Sequence, residues 1–388
     1  MTKSLFWISI AAITYAYVGY PVAVWLLARL RSQNVLKSPI TPRVSVVIAC
    51  HNEADNIEAR IRNLFECDYP ANLLEVIVVS DGSTDLTADV ARRYVSDRVR
   101  VFAYDDRKGK AVALNVGVEA ASGEIILFAD ARQRFEPGAI SQLVANFADP
   151  RVGAASGELL LDGSDGASVG EGVGLYWKYE KWIRKSESRF SSVIGATGAI
   201  YAIRRELWEP LPPMTILDDV YTPMRIAMGG RRVVFEEKAR AHDITTDSAS
   251  REFSRKVRTL MGNYQLCQLM PGLLVPSGVL LYQFYSHKLM RLAAPIFLLI
   301  LLMTNALVVA SPPESAGASY EASLYEASFA AQLLFYASVL AGGYLLRRNR
   351  RVRLLNFAYV FSVMNAAALL GLVYFILGKR NVWVRVKG

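Results

Sequence analysis

Three polar clusters each follow an apolar run: His51-Asn52-Glu53, Ser80-Asp81-Gly82-Ser83 and Asp130-Ala131-Arg132. Each sets an acid beside amides, hydroxyls or a guanidinium. Such oxygen-rich groups accept hydrogen bonds and are the ligands that magnesium and manganese prefer. Loops are polar anyway, so one cluster means little; three at successive strand ends mean more. Further along, Leu217-Asp218-Asp219 precedes a helical run, Val220 to Met228. The acid pair reads as a helix N-cap, as carboxylates available for proton transfer, or as both. Lys108 and Lys110 flank Gly109; they suit a solvated turn, or cations set against an anion.

Alternating elements must position these clusters. Val44–Ala49, Glu75–Val79, Val99–Ala103 and Glu124–Ala129 read as buried strands. Between them Ala54–Glu66, Thr84–Val95 and Gly109–Ala121 have helical spacing. Continuous apolar strands alternating with helices predict an α/β fold with a parallel sheet covered on both faces. Ligands of such sheets bind beyond the carboxyl ends of strands, where the clusters fall. No G-x-G-x-x-G follows the first strand and no G-x-x-x-x-G-K-[ST] occurs, which argues against dinucleotide and P-loop sites.

The chain has 388 residues, 53% hydrophobic and 20% charged, with net charge +9. Its mean hydropathy is +0.23. This excludes a disordered chain. Cys50, Cys67 and Cys267 are odd in number and lack metal-like spacing, which excludes a disulfide scaffold. The apolar excess is concentrated in four uncharged segments: Leu5–Leu27, Leu292–Pro313, Ala327–Leu346 and Leu354–Gly378. Each has the ~20 residues that a bilayer-spanning helix needs. Leu5–Leu27 ends in Arg29-Leu30-Arg31 rather than a small-residue cleavage site, so it reads as a signal anchor. The predicted organisation is a transmembrane helix (1–30), a cytoplasmic domain (40–250), an amphipathic and interfacial segment (251–288), and transmembrane helices with a tail (289–388).

The basic residues Arg29, Arg31 and Lys37, and those from Arg347 to Arg353, place the soluble block inside under the positive-inside rule. The loop Glu314–Glu326, without Lys or Arg, suits the outer face. Lys379, Arg380, Arg385 and Lys387 would then lie outside, unless the last segment, with Asn356, Asn365 and Gly371, does not fully cross. The long uncharged stretch Thr259–Ser286 reads as interfacial, after a basic amphipathic helix Arg251–Arg258.

The ordered set His51-Asn-Glu53, Ser80-Asp-Gly-Ser-Thr-Asp85, Gly109-Lys-Ala-Val-Ala-Leu-Asn115, Phe128-Ala-Asp130, Gly195-Ala-Thr-Gly198 and Leu217-Asp-Asp219 resembles the family-2 inverting glycosyltransferases. It is most similar to the membrane-bound synthases of cellulose, hyaluronan and poly-N-acetylglucosamine. The resemblance covers residues 43 to about 265. It implies a GT-A type domain that binds a nucleotide-diphosphate sugar, with UDP the expected nucleotide, and needs Mg2+ or Mn2+. It assigns Asn52, Glu53 and Asp81 to the nucleotide, and Lys110 to the diphosphate. Asp130 takes the first acidic position of D-x-D, with metal and diphosphate. Asp219 becomes the general base, and Gly195, Thr197, Gly198 and Asp218 lie near the acceptor, a glycan or a lipid-linked molecule. Polysaccharide-export proteins would be partners, and the plasma (inner) membrane the location.

Two departures stand out. Arg132 replaces the second acid of D-x-D. A guanidinium clamps phosphate but cannot hold a cation, so His242 is a candidate further ligand, or an ordinary histidine. The Q-x-x-R-W element reads Arg255-Lys-Val-Arg258-Thr259. Arg258 keeps the arginine, which would close over the diphosphate or meet lipid headgroups; the missing tryptophan speaks against long-chain processivity. Tyr176, Trp177, Tyr179 and Trp182, interleaved with Lys178, Lys181, Arg184 and Lys185, suit either stacking on an acceptor sugar or an interfacial helix. A membrane-tethered block argues against nucleic acid as a partner. Arg132 also leaves open a silent nucleotide-sugar-binding subunit of an assembly complex. A channel is disfavoured, since no intramembrane acid or base marks an ion path.

Overall fold

The computed structural model describes residues 1–162, 170–244, 249–275, 278–311, 319–348, 350 and 352–379. Helix α1 (Thr2–Thr14), a π turn (Tyr15–Gly19) and α2 (Tyr20–Leu30) form one apolar rod. The α/β domain follows. Its strands are β1 (Val44–Cys50), β2 (Leu74–Asp81), β3 (Val99–Tyr104), β4 (Ile125–Ala129), β5 (Arg134–Phe135), β6 (Val152–Asp162), β7 (Ile200–Arg204) and β8 (Arg232–Ile244). Its helices are α3 (Ala54–Phe65), α4 (Thr87–Arg92), α5 (Lys110–Ala120), α6 (Ala139–Val144), α7 (Gly170–Phe190) and α8 (Asp218–Met228). Helix α9 (Ala249–Leu269) leads to α10 (Gly278–Phe284), α11 (Met290–Ala310), α12 (Ser319–Arg347) and α13 (Arg353–Ile376).

The sheet has eight strands in the order β3-β2-β1-β4-β7-β6-β8-β5. The first four are parallel, as the apolar strand pattern predicts. Beyond these four, which are the strands read from the sequence, the sheet becomes mixed: β7 runs antiparallel to β4 and β6, and β5 antiparallel to β8. Chain direction is not written into an apolar run, so only the crossover helices betray parallel pairs. Successive residues of each strand point to opposite faces. Val46 and Ile48 meet Ile57, Ile61 and Leu64 of α3 on one face. Val47 meets Ile77, Leu114, Phe128 and Tyr201 on the other. Each such large apolar side chain contributes about 1.5–3 kcal/mol on full burial. The core therefore fixes the strand ends, and β1 lies where the order turns back, between β2 and β4.

Four helices are long and apolar enough to cross a membrane: Thr2–Leu30, Gly278–Ala310, Ala322–Arg347 and Arg353–Ile376. The second starts well before Leu292, where the uncharged run was expected to begin. A π turn, Tyr285–Leu289, carries the helix past His287 and Lys288. The stretch Thr259–Ser286 holds three elements: α9 runs to Leu269, Pro271–Leu274 make a turn, and the next apolar helix begins at Gly278. Acids of α7 satisfy the basic residues that blurred this boundary. His287 Nδ1 and Nε2 lie 2.8 Å and 3.1 Å from Glu187 and Glu180, and Arg291 pairs with Glu180. Asn365 of α13 meets the Tyr17 hydroxyl at 3.4 Å, and Gly371 lets α13 approach the α9 backbone at Met261. The expectations for the 314–318 part of the loop and for the tail from residue 380 lie outside the described residues.

Candidate active site

The site forms where β1, β2 and β4 end. Asn52 stands in the left-handed region (φ 56°), which a short amide side chain tolerates. Its Oδ1 accepts from the Thr84 N–H at 2.8 Å, so the β1 and β2 turns are tied together. Glu53 follows; its Oε2 accepts from Asn56 at 2.7 Å, and Oε1 lies 4.0 Å from Arg132 Nε. Burial raises its pKa, with Asp130 and Asp85 adding to the shift and Asn56 and Arg132 opposing it. Asp81 is buried and accepts the backbone N–H of Lys108 (2.7 Å) and Gly109 (2.9 Å). It thereby holds the loop that starts α5 and delivers Lys110.

Lys110 is the hub of the acids. Its Nζ lies 3.0 Å from Asp130 Oδ1 and 3.6 Å from Asp218 Oδ2. Burial disfavours its charge, yet Asp130, Asp218 and Asp219 outweigh that and hold its pKa above the ordinary lysine value. Asp130 follows β4 and Arg132 comes two residues later, so an anion entering here meets two cations, Lys110 and Arg132, set among the carboxylates of Asp130, Asp218 and Glu53.

Asp218 and Asp219 open α8 as the first two helical residues, and neither makes a side-chain cap. The N-cap reading is thus replaced by a tertiary one: Asp219 Oδ2 accepts the Gly198 N–H at 3.1 Å, while its backbone carbonyl accepts from Ala196 at 2.6 Å. A Cβ at Gly198 would stand 3.0 Å from that Oδ2, so the close approach needs glycine. Gly195 sits at φ 92° against Val220. Among the described residues Asp219 Oδ1 makes no hydrogen bond. Burial, then Asp218 and Asp130, push the Asp219 carboxyl up to about 6, against Lys110 and Lys288. Burial also raises Asp218.

Helix α9 covers the site. Arg258 lies within electrostatic reach of Asp218, Asp219 and Asp130; burial lowers its pKa and the three acids oppose this. Two residues that the sequence did not single out fasten α9 down. Gln265 accepts from Ile216 N (2.9 Å) and donates to the Met214 carbonyl (2.9 Å). Gly262 packs on Leu217, where a Cβ would fall 2.6 Å from Cγ. Both act on the segment just before Asp218. Their only sequence signal is a polar and a small residue within a helix of basic and apolar ones.

The aromatic cluster of α7 divides. Trp182 packs against α2, among Tyr20, Val24 and Ala28. The Tyr179 hydroxyl donates to the Tyr17 carbonyl at 2.6 Å. These two seat α7 on the membrane helices. Trp177 lies beneath Lys256 of α9, 5.7 Å from its ring centre, at the α7–α9 crossing. The third cation of the region, Arg184, is in sequence only one of four interleaved bases. It donates to Thr197 Oγ1 (2.8 Å) and Ser156 Oγ (3.0 Å), and Ser156 accepts the Thr197 N–H at 2.9 Å. Arg184 and Ser156 therefore shape the Gly195–Gly198 loop.

His242 makes no hydrogen bond to Asp130 among the described residues. Its ring nitrogens meet Asp162 (2.8 Å) and Glu136 (3.1 Å) at the β5–β8 edge. Among the described residues no group of three His, Cys, Asp or Glu is arranged to hold a metal. The donor set nevertheless fits one kind of cation. Magnesium is often held by one or two carboxylates and substrate phosphates, without a protein cage. Asp130 supplies one such carboxylate, with Lys110 bonded to its Oδ1 rather than its Oδ2.

A mixed sheet with acids at the ends of β1, β2 and β4, and an acid-opened helix under a lid, defines a GT-A-like fold. Residues 45–210 match the family model described as Glycosyl transferase family 2. Among curated proteins, the poly-beta-1,6-N-acetyl-D-glucosamine synthase of Staphylococcus aureus is 22% identical over 231 residues, covering 58% of this chain and 55% of that protein. An N-acetylglucosaminyltransferase of Azorhizobium caulinodans is 28% identical over 178 residues, 45% of each. The chain thus matches about half the length of these relatives. Among solved structures, the mannosyltransferase PcManGT of Pyrobaculum calidifontis, in complex with GDP-Man and Mn2+, superposes with a TM-score of 0.72 at 24% identity. It covers 97% of this chain and 99% of that one, so the likeness of fold includes the membrane helices.

Proposed function

We propose that the chain is a membrane glycosyltransferase. It moves a sugar from a nucleotide-diphosphate sugar, with UDP the expected nucleotide, to a hydroxyl of a glycan or lipid-linked acceptor, with inversion. The observation that carries this is the convergence of Lys110 and Arg258 on Asp130, Asp218 and Asp219, with Arg132 close by and Asp219 seated on the Gly195–Gly198 loop.

In one displacement the acceptor oxygen bonds to the anomeric carbon as the carbon–diphosphate oxygen bond breaks. The bonding pair leaves with the diphosphate. The acceptor proton passes to Asp219 Oδ1, while Gly198 holds Oδ2. A base in hydrogen-bond reach contributes about 10²–10⁴ in rate. The raised pKa of Asp219 brings it closer to neutral pH, where a base works best. Fixed cations meet the charge that grows on the leaving group. A divalent cation, Mg2+ or Mn2+, would take Asp130 as its protein carboxylate and add to that neutralisation.

Relatives named as N-acetylglucosamine-transferring enzymes support an N-acetylated hexosamine as the first sugar to test. The missing tryptophan after Arg258 favours few additions over long chains. The domain lies on the cytoplasmic side of the plasma membrane in this reading, since Arg29, Arg31 and Lys37 follow the first span. The test is incubation of the purified protein with labelled UDP- and GDP-sugars, with and without Mg2+ or Mn2+, and native membranes as acceptor. Transfer from one donor is expected. Neither transfer nor hydrolysis with any donor would favour a silent binding subunit instead.

A further inference from the structure

On the reading that the Gly195–Gly198 loop faces the acceptor, we propose that Arg184 and Lys288 form a site for a phosphate or diphosphate group carried by the acceptor. Seven ionisable groups crowd the junction of α7 with the second span: Glu180, Arg184, Glu187, His287, Lys288, Arg291 and, from α8, Asp219. Most are matched. Arg291 pairs with Glu180, and His287 bridges Glu180 and Glu187. The Tyr20 hydroxyl donates to Glu187 at 2.5 Å.

Two cations are not matched by an ion pair. Arg184 gives all its hydrogen bonds to neutral acceptors, namely Thr197 Oγ1, Ser156 Oγ and the Gly195 carbonyl (3.4 Å). Lys288 makes no hydrogen bond or ion pair among the described residues. Both are half-buried; each is within electrostatic reach of Glu180, Glu187 and Asp219, though in contact with none of them, and of the other cation. A half-buried cation that acids reach only at longer range keeps part of its desolvation cost, which an incoming anion offsets. A guanidinium fixed by three neutral acceptors is a preorganised phosphate donor.

The placement says from where the anion comes. Lys288 lies in the π turn of a membrane-spanning helix, and π turns recur at functional sites. One turn earlier Gln283 donates to the Ser192 carbonyl at 3.2 Å, so this polar face of the span is turned toward the segment that leads into the acceptor loop. A phosphate at the end of an isoprenoid chain would reach Lys288 along the span and place its attached sugar, or its own oxygen, by Asp219. A soluble sugar phosphate shares the chemistry and lacks the anchor.

The test uses the full chain in detergent micelles and follows binding of farnesyl phosphate, inorganic phosphate and farnesol by intrinsic fluorescence. UDP-sugar binding is measured separately, which keeps the donor reading independent. Farnesyl phosphate is expected to bind the wild type at least tenfold more tightly than Lys288→Met or Arg184→Gln, with Lys288→Arg restoring affinity and UDP-sugar affinity unchanged throughout. Displacement by inorganic phosphate, with farnesol inert, would support the same site and identify a soluble source. Equal binding of farnesyl phosphate to wild type and both variants, or equal binding of farnesol, would overturn the proposal. Loss of UDP-sugar binding by the wild type would count against the glycosyltransferase reading alone.

Discussion

Asp219→Asn tests base chemistry and electrostatic strain together. The amide keeps the shape, and its oxygen still accepts the Gly198 N–H. It removes the proton acceptor, so transfer should fall by about 10²–10⁴. It also removes a charge that the fold disfavours. The wild-type carboxyl sits at about 6 against an ordinary 3.8. The gap between those two values sets a ceiling of about 3 kcal/mol; solvent access to a half-buried group reduces this to about 1–2 kcal/mol. The sign follows from linkage. A raised carboxyl favours the folded state while protonated, and this advantage is lost as pH rises from 3.8 through 6. The variant should therefore melt with the wild type near pH 4 and above it at pH 7.5. The assay is thermal unfolding of both proteins across that range, beside transfer rates. A variant less stable than wild type at pH 7.5, or one that retains transfer, would refute the reasoning.

The same carboxyl predicts a pH profile: with a pKa of about 6, its ionised fraction falls from about 90% at pH 7 to about 10% at pH 5, so kcat/KM should drop roughly ninefold between them, as initial rates will show. Asp81→Ala removes the acceptor of two backbone N–H groups and should weaken nucleotide-sugar affinity at least tenfold, read by thermal shift with added UDP-sugar. Gly262→Leu should push α9 off Leu217 and lower transfer more than it lowers donor affinity, seen by comparing kcat with the donor dissociation constant. Trp182→Ala should destabilise the protein by about 3 kcal/mol or less, as expected for a large-to-small change at a partly buried site. It should leave the KM for donor unchanged, in steady-state assays.

The cluster proposed here as the donor half of the site was legible as a group because its residues fall at the ends of strands that apolar runs announce. Asn52, Asp81 and Asp130 each follow such a run within a few residues. Asp219 was legible through its motif, although its contact with Gly198 spans 21 residues and no local pattern encodes it. Arg184 and Lys288 were not legible. Sequence shows four interleaved bases in α7 and a basic flank before α11; only packing decides which of them acids neutralise. Strand direction beyond β4 was lost for a related reason, since an apolar run carries no arrow. The second apolar helix starts earlier than the uncharged run, because charged side chains within it are met by partners distant in sequence. Glu180, about 110 residues away in the chain, pairs with Arg291, and Glu187 meets the His287 ring.

The central claim is a single displacement in which the acceptor oxygen attacks while Asp219 takes its proton. The most direct measurement is the anomeric configuration of the first product formed from an α-linked nucleotide sugar, read by proton coupling in NMR. The account predicts a β-linked product. An α-linked product, formed with retention, would contradict it.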